Sequence, residues 1–249
     1  MIDLKLNSYA DLKKEGKSFY WASFFLPKSY KKNAGTLYSI CRYFDDIADK
    51  YSEDQTIYLK KTIEEIRTNK NNKVNIFLQK NEINNLIFID LIEGLILDQK
   101  KIRIQNKEEL IKYSYHVAGT VGLMMSKIIG VKNEKAAQSA IDLGIGMQLT
   151  NIARDVYEDS KMKRIYLPAN WIPNISLKNL TNPHEIDLEQ DEKISNAIHK
   201  VISLSDKFYE NGFVGLKYIP LSTRLGIFIA ANIYRGIGIK IKSHKKKYF

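Results

Sequence analysis

Carboxylate and amide side chains recur at helical spacing in residues 142–168, DLGIGMQLTNIARDVYEDSKMKRIYLP. Asn151, Asp155 and Asp159 are four residues apart, so a helix would project all three from one face. Gln148 lies one turn before Asn151, close to the same stripe. Oxygen ligands of this kind suit a hard cation such as Mg²⁺, although an isolated acidic pair is more often a solvated patch.

A second pair with the same spacing, Asp45 and Asp49, occurs about a hundred residues earlier in CRYFDDIADKY. Two helices that each carry carboxylates at i and i+4 can face each other and hold metal ions between them. Mg²⁺ usually completes its coordination shell with water and phosphate oxygens. The two groups, called here the first acidic motif (Asp45, Asp49) and the second acidic motif (Asn151, Asp155, Asp159), therefore predict a diphosphate ligand.

Helical patterning extends through nearly the whole chain. Only five prolines occur, and three of them fall within residues 168–183, where 169–186 is predicted to be a loop. No alternating strand pattern bounded by turns is present. We predict an all-α fold, with residues 1–249 forming a single domain of helices packed around a central cavity.

Two of the predicted helices have clear boundary signals. One begins at the N-x-x-E pattern of Asn106 and Glu109 and ends at Gly130, and the helix of the second acidic motif begins at Asn133. The remaining predicted helices span 29–50, 54–69, 81–98, 187–211 and 220–243.

The net charge of +11 raises the question of an acidic partner. No zinc-finger spacing, RNP-like strand or basic recognition helix accompanies it, so we expect no nucleic-acid partner. The clearest basic cluster follows an apolar tract near the C-terminus and consists of Lys240, Lys242, Lys245, Lys246 and Lys247. This cluster could dock peripherally on anionic lipid, or it could be a solvated helix end.

The sequence predicts a protein of a reducing compartment that does not span a membrane. Residues 1–12 lack the apolar region of a secretory signal. The longest apolar tract, 225–241, contains Asn232 and Arg235 and falls short of the roughly 20 apolar residues of a transmembrane helix. Cys41 is the one cysteine, which excludes an internal disulfide. We expect a cytoplasmic protein, free or held at the inner face of the membrane.

Four segments carry a family resemblance: SFYWASFFLP (18–27), LYSICRYFDDIAD (37–49), YSYHVAGTVGLMM (113–125), and QLTNIARDVYED with RIYLP (148–168). They are similar to the motifs of the squalene/phytoene synthases, the head-to-head branch of the isoprenoid synthases, and occur in the same order. The segments LTNIARD and VAGTVGLMM most resemble the corresponding sequences of bacterial phytoene synthases.

The resemblance implies a metal and diphosphate site. It assigns two or three Mg²⁺ ions, replaceable by Mn²⁺, to Asp45, Asp49, Asn151, Asp155 and Asp159. Asp46 could be an extra ligand or could pair with a basic residue. The candidate diphosphate contacts are Arg42 and Arg154, which could instead only bridge nearby carboxylates, together with Lys17, Ser18, Gln148 and Asn151.

The same resemblance implies a prenyl pocket. Its candidate contacts, besides the diphosphate contacts, are Phe19, Tyr38, Tyr113, Val117, Val121, Gly122, Tyr166 and Tyr234. Residues 164–166 are expected to form part of a flap over the diphosphates. The residues expected to take part in catalysis are Asp45, Asp49, Asp155, Asp159, Tyr38, Arg42, Arg154 and Tyr166.

The reaction implied is the joining of two geranylgeranyl diphosphates through a cyclopropylcarbinyl diphosphate to phytoene, without NADPH and without an obligate protein partner. One alternative is a squalene, presqualene diphosphate or dehydrosqualene synthase that uses farnesyl diphosphate. A second is an inactive relative with a scaffolding role, which intact acidic motifs disfavour.

Overall fold

The computed structural model describes residue 13 and residues 16–50, 52–99 and 102–243 of the chain. The described elements in chain order are α1 (Lys17–Ser23), α2 (Lys28–Asp49), α3 (Glu53–Arg67), α4 (Lys73–Lys80), α5 (Asn85–Asp98), β1 (Ile102–Arg103), α6 (Lys107–Ser114), a π-helical turn (Tyr115–Gly119), α7 (Thr120–Ile128), α8 (Ala136–Arg154), α9 (Val156–Lys161), β2 (Arg164–Ile165), α10 (Leu177–Thr181), a 3₁₀ turn (Pro183–Glu185), α11 (Leu188–Val214), a second 3₁₀ turn (Gly215–Tyr218) and α12 (Leu221–Ser243). The predicted all-α class is confirmed.

The boundary signals around residues 106–130 act as predicted. The side chain of Asn106 accepts a hydrogen bond from the backbone N–H of Glu109 at 2.9 Å. Gly130 has φ +84°, a left-handed conformation that glycine adopts without steric cost and that ends the helical segment. The interior of the segment is a π-helical turn between two α-helices, which hydrophobic periodicity does not reveal.

One helix start and two additional helices differ from the predictions. The helix expected from Asn133 begins at Ala136, because the side chain of Asn133 accepts from the backbone N–H of Lys135 in a preceding turn. Helix α4 was not predicted, although Asn72 caps it by accepting from the backbone N–H of Asn75. The loop expected at 169–186 contains α10, a single short helix with its own capping box.

The interior consists of two large apolar clusters that meet at one side chain. Helices α2 to α5 and α7 form the first cluster, and α8, α11 and the segments around the two strands form the second. Val117 packs against both clusters. The helix of the second acidic motif belongs to the second cluster and packs against α7 of the first.

Glycines allow α7 to cross α8 closely. A Cβ added to Gly122 would collide with the carbonyl oxygen of Ala140, and one added to Gly144 would collide with that of Ala118. The sequence analysis assigns Gly122 to substrate contact. The α8 backbone lies where a Cβ of residue 122 would be, so close helix packing alone requires a glycine there; Gly122 is half-buried, and its contact with substrate stays a prediction.

A small parallel sheet joins the end of α5 to the segment after the second acidic motif. Ile102 pairs with Arg164 and Arg103 with Ile165. The sequence predicts no strand, and two residues are too few to produce a visible alternation. The sheet places residue 98 next to residues 164–166.

No helix of the described part of the chain is long and apolar enough to cross a membrane.

Candidate active site

The first acidic motif lies at the end of α2, on an unbroken helix. The guanidinium of Arg42 contacts the carboxylate of Asp45 at 3.0 Å and that of Asp46 at 2.8 Å. Loss of water around Asp45, followed by the negative charge of Asp49, raises the pKa of the Asp45 carboxyl to about 7. Arg42 and Asp46 thus form bridges within their own helix, and the motif carries more negative charge than these arginine contacts neutralise.

The start of α1 packs against Tyr38, one turn before Arg42. A Cβ added to Gly16 would lie 2.9 Å from the Tyr38 ring, so a larger residue would displace that ring. Lys17 and Ser18 follow directly, the first exposed and the second half-buried. These two candidate diphosphate contacts therefore stand at the point where α1 meets the helix of the first acidic motif.

A row of three aromatic rings leads from the first motif toward the second. The centroid of Phe19 lies 6.3 Å from that of Tyr38 and 5.1 Å from that of Tyr234 on α12. Burial raises the pKa of the Tyr234 hydroxyl, while the nearby charge of Arg154 lowers it and that of Asp155 raises it. Tyr234 is therefore close enough to the second motif to feel its charges.

The second acidic motif crosses a junction between two helices. Helix α8 ends at Arg154, and Asp155 has the non-helical angles φ −106° and ψ 20° before α9 begins. The backbone N–H of Asp155 still donates to the carbonyl of Asn151 at 2.8 Å, and that of Asp159 donates to the carbonyl of Asp155 at 2.8 Å. The four-residue spacing is thus kept although the helix is interrupted at Asp155.

One carboxylate of this motif is already paired with an arginine, while a buried amide oxygen of the motif favours a cationic ligand. Arg154 contacts Asp155 through two hydrogen bonds of 2.6 Å, from its Nε and one terminal nitrogen. The Oδ1 of Asn151 is buried and has no hydrogen-bond partner within the described structure. A buried amide oxygen in that state is costly, and a bound cation would satisfy it.

Asp98, at the end of α5, stands between the two motifs. Its carboxylate accepts hydrogen bonds from the hydroxyls of Tyr113 at 2.8 Å and Tyr166 at 2.7 Å. The two tyrosine rings are stacked at 4.7 Å. Arg164 donates from Nε to the backbone carbonyl of Asp98 at 3.2 Å and from a terminal nitrogen to the Asp49 carboxylate at 2.7 Å. Asp98 and Arg164 therefore tie the first motif to the segment after the second.

The charges of both motifs act on this bridge. Burial raises the pKa of Asp98 to about 6 against the opposing effect of Arg164. Burial, then the charge of Asp155, raises the pKa of Asp159 to about 8, and the charge of Asp98 adds to the shift at both Asp159 and Asp45. The negative charge of Asp98 thus acts on a carboxylate of each motif. Both motifs therefore lie around one space, next to Asp98.

The donor set suits a divalent cation, although it is not closed around one. Among the described residues, no three histidine, cysteine, aspartate or glutamate side chains are grouped closely enough to hold a metal ion as they stand. The carboxylates of Asp45, Asp49 and Asp155 are held by arginines instead. The raised pKa values of Asp45 and Asp159 and the unpartnered oxygen of Asn151 are the features that a cation would relieve.

The predicted prenyl contacts, Gly122 included, lie in or beside the interior. Val117, Val121 and Gln148 are half-buried, and Val117 lies where the two core clusters meet. Tyr113 and Tyr166 are buried, and the hydroxyl of each donates a hydrogen bond to the Asp98 carboxylate.

The predicted flap at residues 164–166 is wrong. Arg164 and Ile165 form the buried strand β2, and Tyr166 is 6% exposed. Their backbone is held by strand pairing and their side chains by Asp98, so the segment is a fixed wall of the site rather than a cover.

Two further groups have defined surroundings in the structure. The resemblance allows Lys242 or one of Lys245, Lys246 and Lys247 to take the place of the family's C-terminal basic diphosphate contact; the Nζ of Lys242 donates to the Oγ of Ser203 on α11 at 3.3 Å, and its contact with diphosphate stays a prediction. Burial, then the charge of Asp45, raises the pKa of the Cys41 thiol to about 12, which keeps it protonated. Lys245, Lys246 and Lys247 lie outside the described residues.

Sequence reasoning missed Asp98 altogether and assigned Arg164 only to a flap. One signal was available for Asp98: it ends a predominantly apolar helix, NLIFIDLIEGLILD, in which a buried carboxylate requires partners. Its partners come from residues 15 and more positions later in the chain, so no local pattern connects them.

Comparison with known proteins shows the family of the chain. The family described as squalene/phytoene synthase matches residues 12–249. The chain is 30% identical over 243 residues to the 15-cis-phytoene synthase of Enterobacter agglomerans, covering 90% of this chain and 81% of the relative. It is 30% identical over 248 residues to the phytoene synthase of Thermus thermophilus, covering 93% of this chain and 81% of the relative.

Solved structures show the same fold. A dehydrosqualene synthase crystallised with a ligand superposes with a TM-score of 0.80 at 27% identity, over 92% of this chain and 82% of that one. The squalene synthase of Alicyclobacillus acidocaldarius superposes with a TM-score of 0.79 over 94% of this chain and 90% of that one; at 19% identity it shows the fold alone.

The helical fold is that of the isoprenoid synthases. The chain belongs to the squalene/phytoene synthase family, whose members are prenyltransferase-type enzymes that use prenyl diphosphates.

Proposed function

We propose that the chain is a phytoene synthase, which joins two molecules of geranylgeranyl diphosphate head to head in a 1–1′ linkage and makes phytoene for carotenoid biosynthesis. The observation that carries the proposal is the placement of both acidic motifs around Asp98, with the pKa of Asp45 and of Asp159 raised. The names of the relatives support the choice of substrate and product.

The reaction has two ionisations. In the first, the C1–O bond of one substrate breaks, diphosphate leaves, and the allylic cation is captured by the 2,3-double bond of the second substrate with loss of a proton. This forms the cyclopropylcarbinyl diphosphate, prephytoene diphosphate. In the second, that diphosphate leaves, the cation rearranges to the 1–1′ skeleton, and loss of a second proton gives phytoene without a reductant.

The residues proposed to hold Mg²⁺, or Mn²⁺ in its place, are Asp45, Asp49, Asn151, Asp155 and Asp159. When bound, two or three such ions neutralise the charge that builds on departing diphosphate. Arg42 and Arg154 hold carboxylates of the two motifs and can donate to diphosphate oxygens when a cation takes those carboxylates over. Lys17 and Ser18 can add donors from the start of α1.

The aromatic and apolar residues are proposed to shield the allylic cation. Phe19, Tyr38 and Tyr234 form a continuous row of rings beside the site, whose faces stabilise positive charge without forming an adduct. Tyr113 and Tyr166 are fixed by Asp98, so their positions relative to both motifs are set before substrate binds.

A second candidate function is synthesis of squalene or dehydrosqualene from farnesyl diphosphate, because a dehydrosqualene synthase is similar in structure at 27% identity. Incubation of the purified protein with Mg²⁺ and either geranylgeranyl or farnesyl diphosphate, with and without NADPH, separates the two. We expect a C40 hydrocarbon from geranylgeranyl diphosphate whose yield NADPH does not change. A C30 product formed from farnesyl diphosphate alone would establish the second candidate.

We also propose a peripheral contact of the cytoplasmic enzyme with the inner face of the membrane, through the basic cluster after the apolar tract. Removal of the residues after Ser243 should weaken binding to anionic vesicles, most strongly at low salt. Equal partitioning of the full and shortened proteins would show that the cluster is a solvated end.

A further inference from the structure

Three hydroxyl side chains are buried together behind the second acidic motif. Thr150 is 0% exposed, Tyr209 1% and Ser205 2%. Thr150 directly precedes Asn151 on α8, and the other two lie one turn apart on α11. A buried hydroxyl that lacks a partner is costly, so these three are held by one another and by the backbone. They are called here the hydroxyl cluster.

Thr150 is the centre of this cluster. Its Oγ1 lies 3.0 Å from the Oγ of Ser205 and 3.0 Å from the hydroxyl of Tyr209. It also donates to the backbone carbonyl of Gly146 at 2.9 Å, and Ser205 donates to the same carbonyl at 3.0 Å. Removal of the Thr150 hydroxyl therefore breaks contacts to two side chains and one carbonyl at once.

Two glycines allow three helices to meet at the cluster. A Cβ added to Gly146 would lie 3.4 Å from the ring of Tyr209, so the ring packs directly on the α8 backbone. A Cβ added to Gly238 on α12 would lie 3.9 Å from the Oγ1 of Thr150. The cluster thus ties α8 to α11 at a point that α12 also covers.

The tie lies at the last turn of α8, which carries the start of the second acidic motif. Helix α8 ends at Arg154 and is interrupted at Asp155, so no continuous helix beyond it fixes this turn. Neighbouring side chains on a helix point in fixed relative directions. The anchoring of Thr150 to α11 therefore sets the direction of Asn151, whose buried Oδ1 has no hydrogen-bond partner within the described structure.

The cluster is also close to the aromatic row of the site. Burial raises the pKa of the Tyr209 hydroxyl, the hydrogen bond with Thr150 opposes the rise, and the charge of Tyr234 adds to it. Tyr234 in turn responds to Arg154 and Asp155. The cluster therefore backs the same part of the site that the second acidic motif faces.

We propose that Thr150 is a positioning residue for the cation site. Through Ser205 and Tyr209, its hydroxyl holds the last turn of α8 so that Asn151 presents its amide oxygen to the cation. This inference deepens the proposed function and rests on it for the identity of the ligand. The anchoring itself needs no ligand, so it can be measured separately.

Thr150→Val and Thr223→Val form a matched pair. Thr223 on α12 is also 0% exposed, and its Oγ1 donates to the carbonyl of Ile129 at 3.0 Å. Each substitution removes one buried hydroxyl and nearly keeps the shape of the side chain, so both should lower the melting temperature by a few degrees. The pair separates a loss of general stability from a loss of position at the site.

Cation affinity is the first readout. Binding of Mn²⁺ in the presence of geranylgeranyl thiolodiphosphate, followed by electron paramagnetic resonance, should be weakened about tenfold by Thr150→Val. Thr223→Val should leave it unchanged. Thr150→Ser keeps the hydroxyl and should bind Mn²⁺ within about twofold of the unmodified protein. Tyr209→Phe removes one of the contacts of Thr150 and should weaken binding less than Thr150→Val.

Turnover should show the same division. Because the Thr150 hydroxyl does not touch the reacting atoms, Thr150→Val should raise the Mg²⁺ concentration needed for half-maximal turnover by about tenfold, while kcat at saturating Mg²⁺ stays within about twofold. Thr223→Val should change neither value.

Hydrogen exchange in EDTA tests the anchoring without a cation. Thr150→Val should speed exchange of the amides of residues 151–155 by about tenfold or more and leave those of residues 45–49 unchanged. Thr223→Val should affect neither segment. If the unmodified protein binds no Mn²⁺ and this exchange result holds, the proposed function fails while the anchoring role of Thr150 stands.

Three results would overturn the inference. One is unchanged exchange of residues 151–155 in folded Thr150→Val. Another is an equal loss of Mn²⁺ affinity in the Thr150→Val and Thr223→Val proteins, which would assign the effect to general stability. The third is a loss in Thr150→Ser as large as in Thr150→Val, which would assign the effect to packing of the methyl group and not to the hydroxyl.

Discussion

The two acidic motifs have the same spacing in sequence and different local structures. Asp45 and Asp49 lie on one unbroken helix, where Arg42 bridges to neighbouring carboxylates. In the second motif the helix ends at Arg154, and Asp155 forms the junction to a new helix. Four-residue spacing therefore identifies which side chains act together without showing that the backbone between them is continuous.

The difference matters for how each motif responds to a cation. The first can rearrange only its side chains, since its backbone is fixed within α2. In the second, Asp155 lies at the junction between α8 and α9 and is not part of a continuous helix. Asp98 and Arg164 hold the two in one arrangement, through the contacts to Tyr166 and Asp49.

The largest expected effect is on turnover when either motif loses a carboxylate. Asp45→Asn and Asp155→Asn should each lower kcat by several orders of magnitude, because each removes a charge that would hold the cation, while both variants fold. EDTA should abolish the activity of the unmodified protein and Mg²⁺ should restore it. Steady-state kinetics after chelation and metal addition measure both effects.

Asp46→Asn is the matched control, since Asp46 contacts Arg42 from the same helix but lies outside both motifs. It should cost far less than Asp45→Asn. Full activity of the Asp45 or Asp155 variant in the presence of chelator would show that the motifs do not bind a metal.

Substrate length should depend on the helix of the first motif. Ala34 and Gly35 lie about ten residues before Asp45 on the same side of α2, roughly 15 Å away at 1.5 Å per residue, and both are buried. Gly35→Trp should shorten the accepted chain and shift preference from the C20 to the C15 diphosphate. Ser23→Phe, at the buried end of α1, should have the same effect.

Product analysis with both substrates in competition checks this prediction. Circular dichroism must first show that the variants are folded, because both sites are buried. An unchanged C40 product from both folded variants would place the end of the prenyl pocket elsewhere.

Removing the bridge between the motifs should affect both activity and stability. Asp98→Ala leaves the hydroxyls of Tyr113 and Tyr166 without their carboxylate, so we expect a loss of about 1–3 kcal/mol in the free energy of unfolding. Turnover should also fall. Chemical denaturation and kinetics measure the two effects.

Asp90→Ala provides the comparison, because Asp90 lies on the same helix as Asp98. Its carboxylate accepts a hydrogen bond from one tyrosine hydroxyl, that of Tyr115, at 2.9 Å. It should destabilise the protein less and leave turnover nearly intact. Equal losses of turnover in the two variants would mean that Asp98 acts only through general stability.

The contacts behind these predictions also show which features of the structure could be predicted from the sequence. It identified both motifs, the helical class and most helix ends, because periodicity and capping are local properties. It could not place Asp98 against Tyr166, since that contact joins residues 68 positions apart. It mistook residues 164–166 for a flap because a two-residue strand leaves no pattern, and the pairing that buries it comes from residues 102–103.

A smaller effect is expected on the pH dependence of stability. The folded-state pKa values of Asp45 and Asp159 are raised from 3.8 to about 7 and about 8, so the folded protein binds protons more tightly than the unfolded chain. Stability that is fully present below pH 4 should therefore decline as pH rises through 7 and 8, in the absence of divalent cations. Asp159→Asn should remove part of this decline, raising the melting temperature at pH 8 by a few degrees and leaving it unchanged at pH 4.

Calorimetry in EDTA provides the melting temperatures. Glu189→Gln is the control, since the Glu189 side chain is 78% exposed and its ion pair with Lys193 lies on the surface. Identical slopes for the Asp159 variant and the unmodified protein would contradict the assignment of the shift to Asp159.

The central claim is that the two motifs form one site, and a double-mutant cycle tests it most directly. Binding of a geranylgeranyl thiolodiphosphate, which does not ionise readily, can be measured by calorimetry with Mg²⁺ for the unmodified protein, Asp45→Asn, Asp159→Asn and the double variant. If the motifs share the ligand, the double variant should bind little worse than the weaker single variant, with a coupling of about 1 kcal/mol or more. Losses that add to within about 0.5 kcal/mol would show two independent sites and contradict the account.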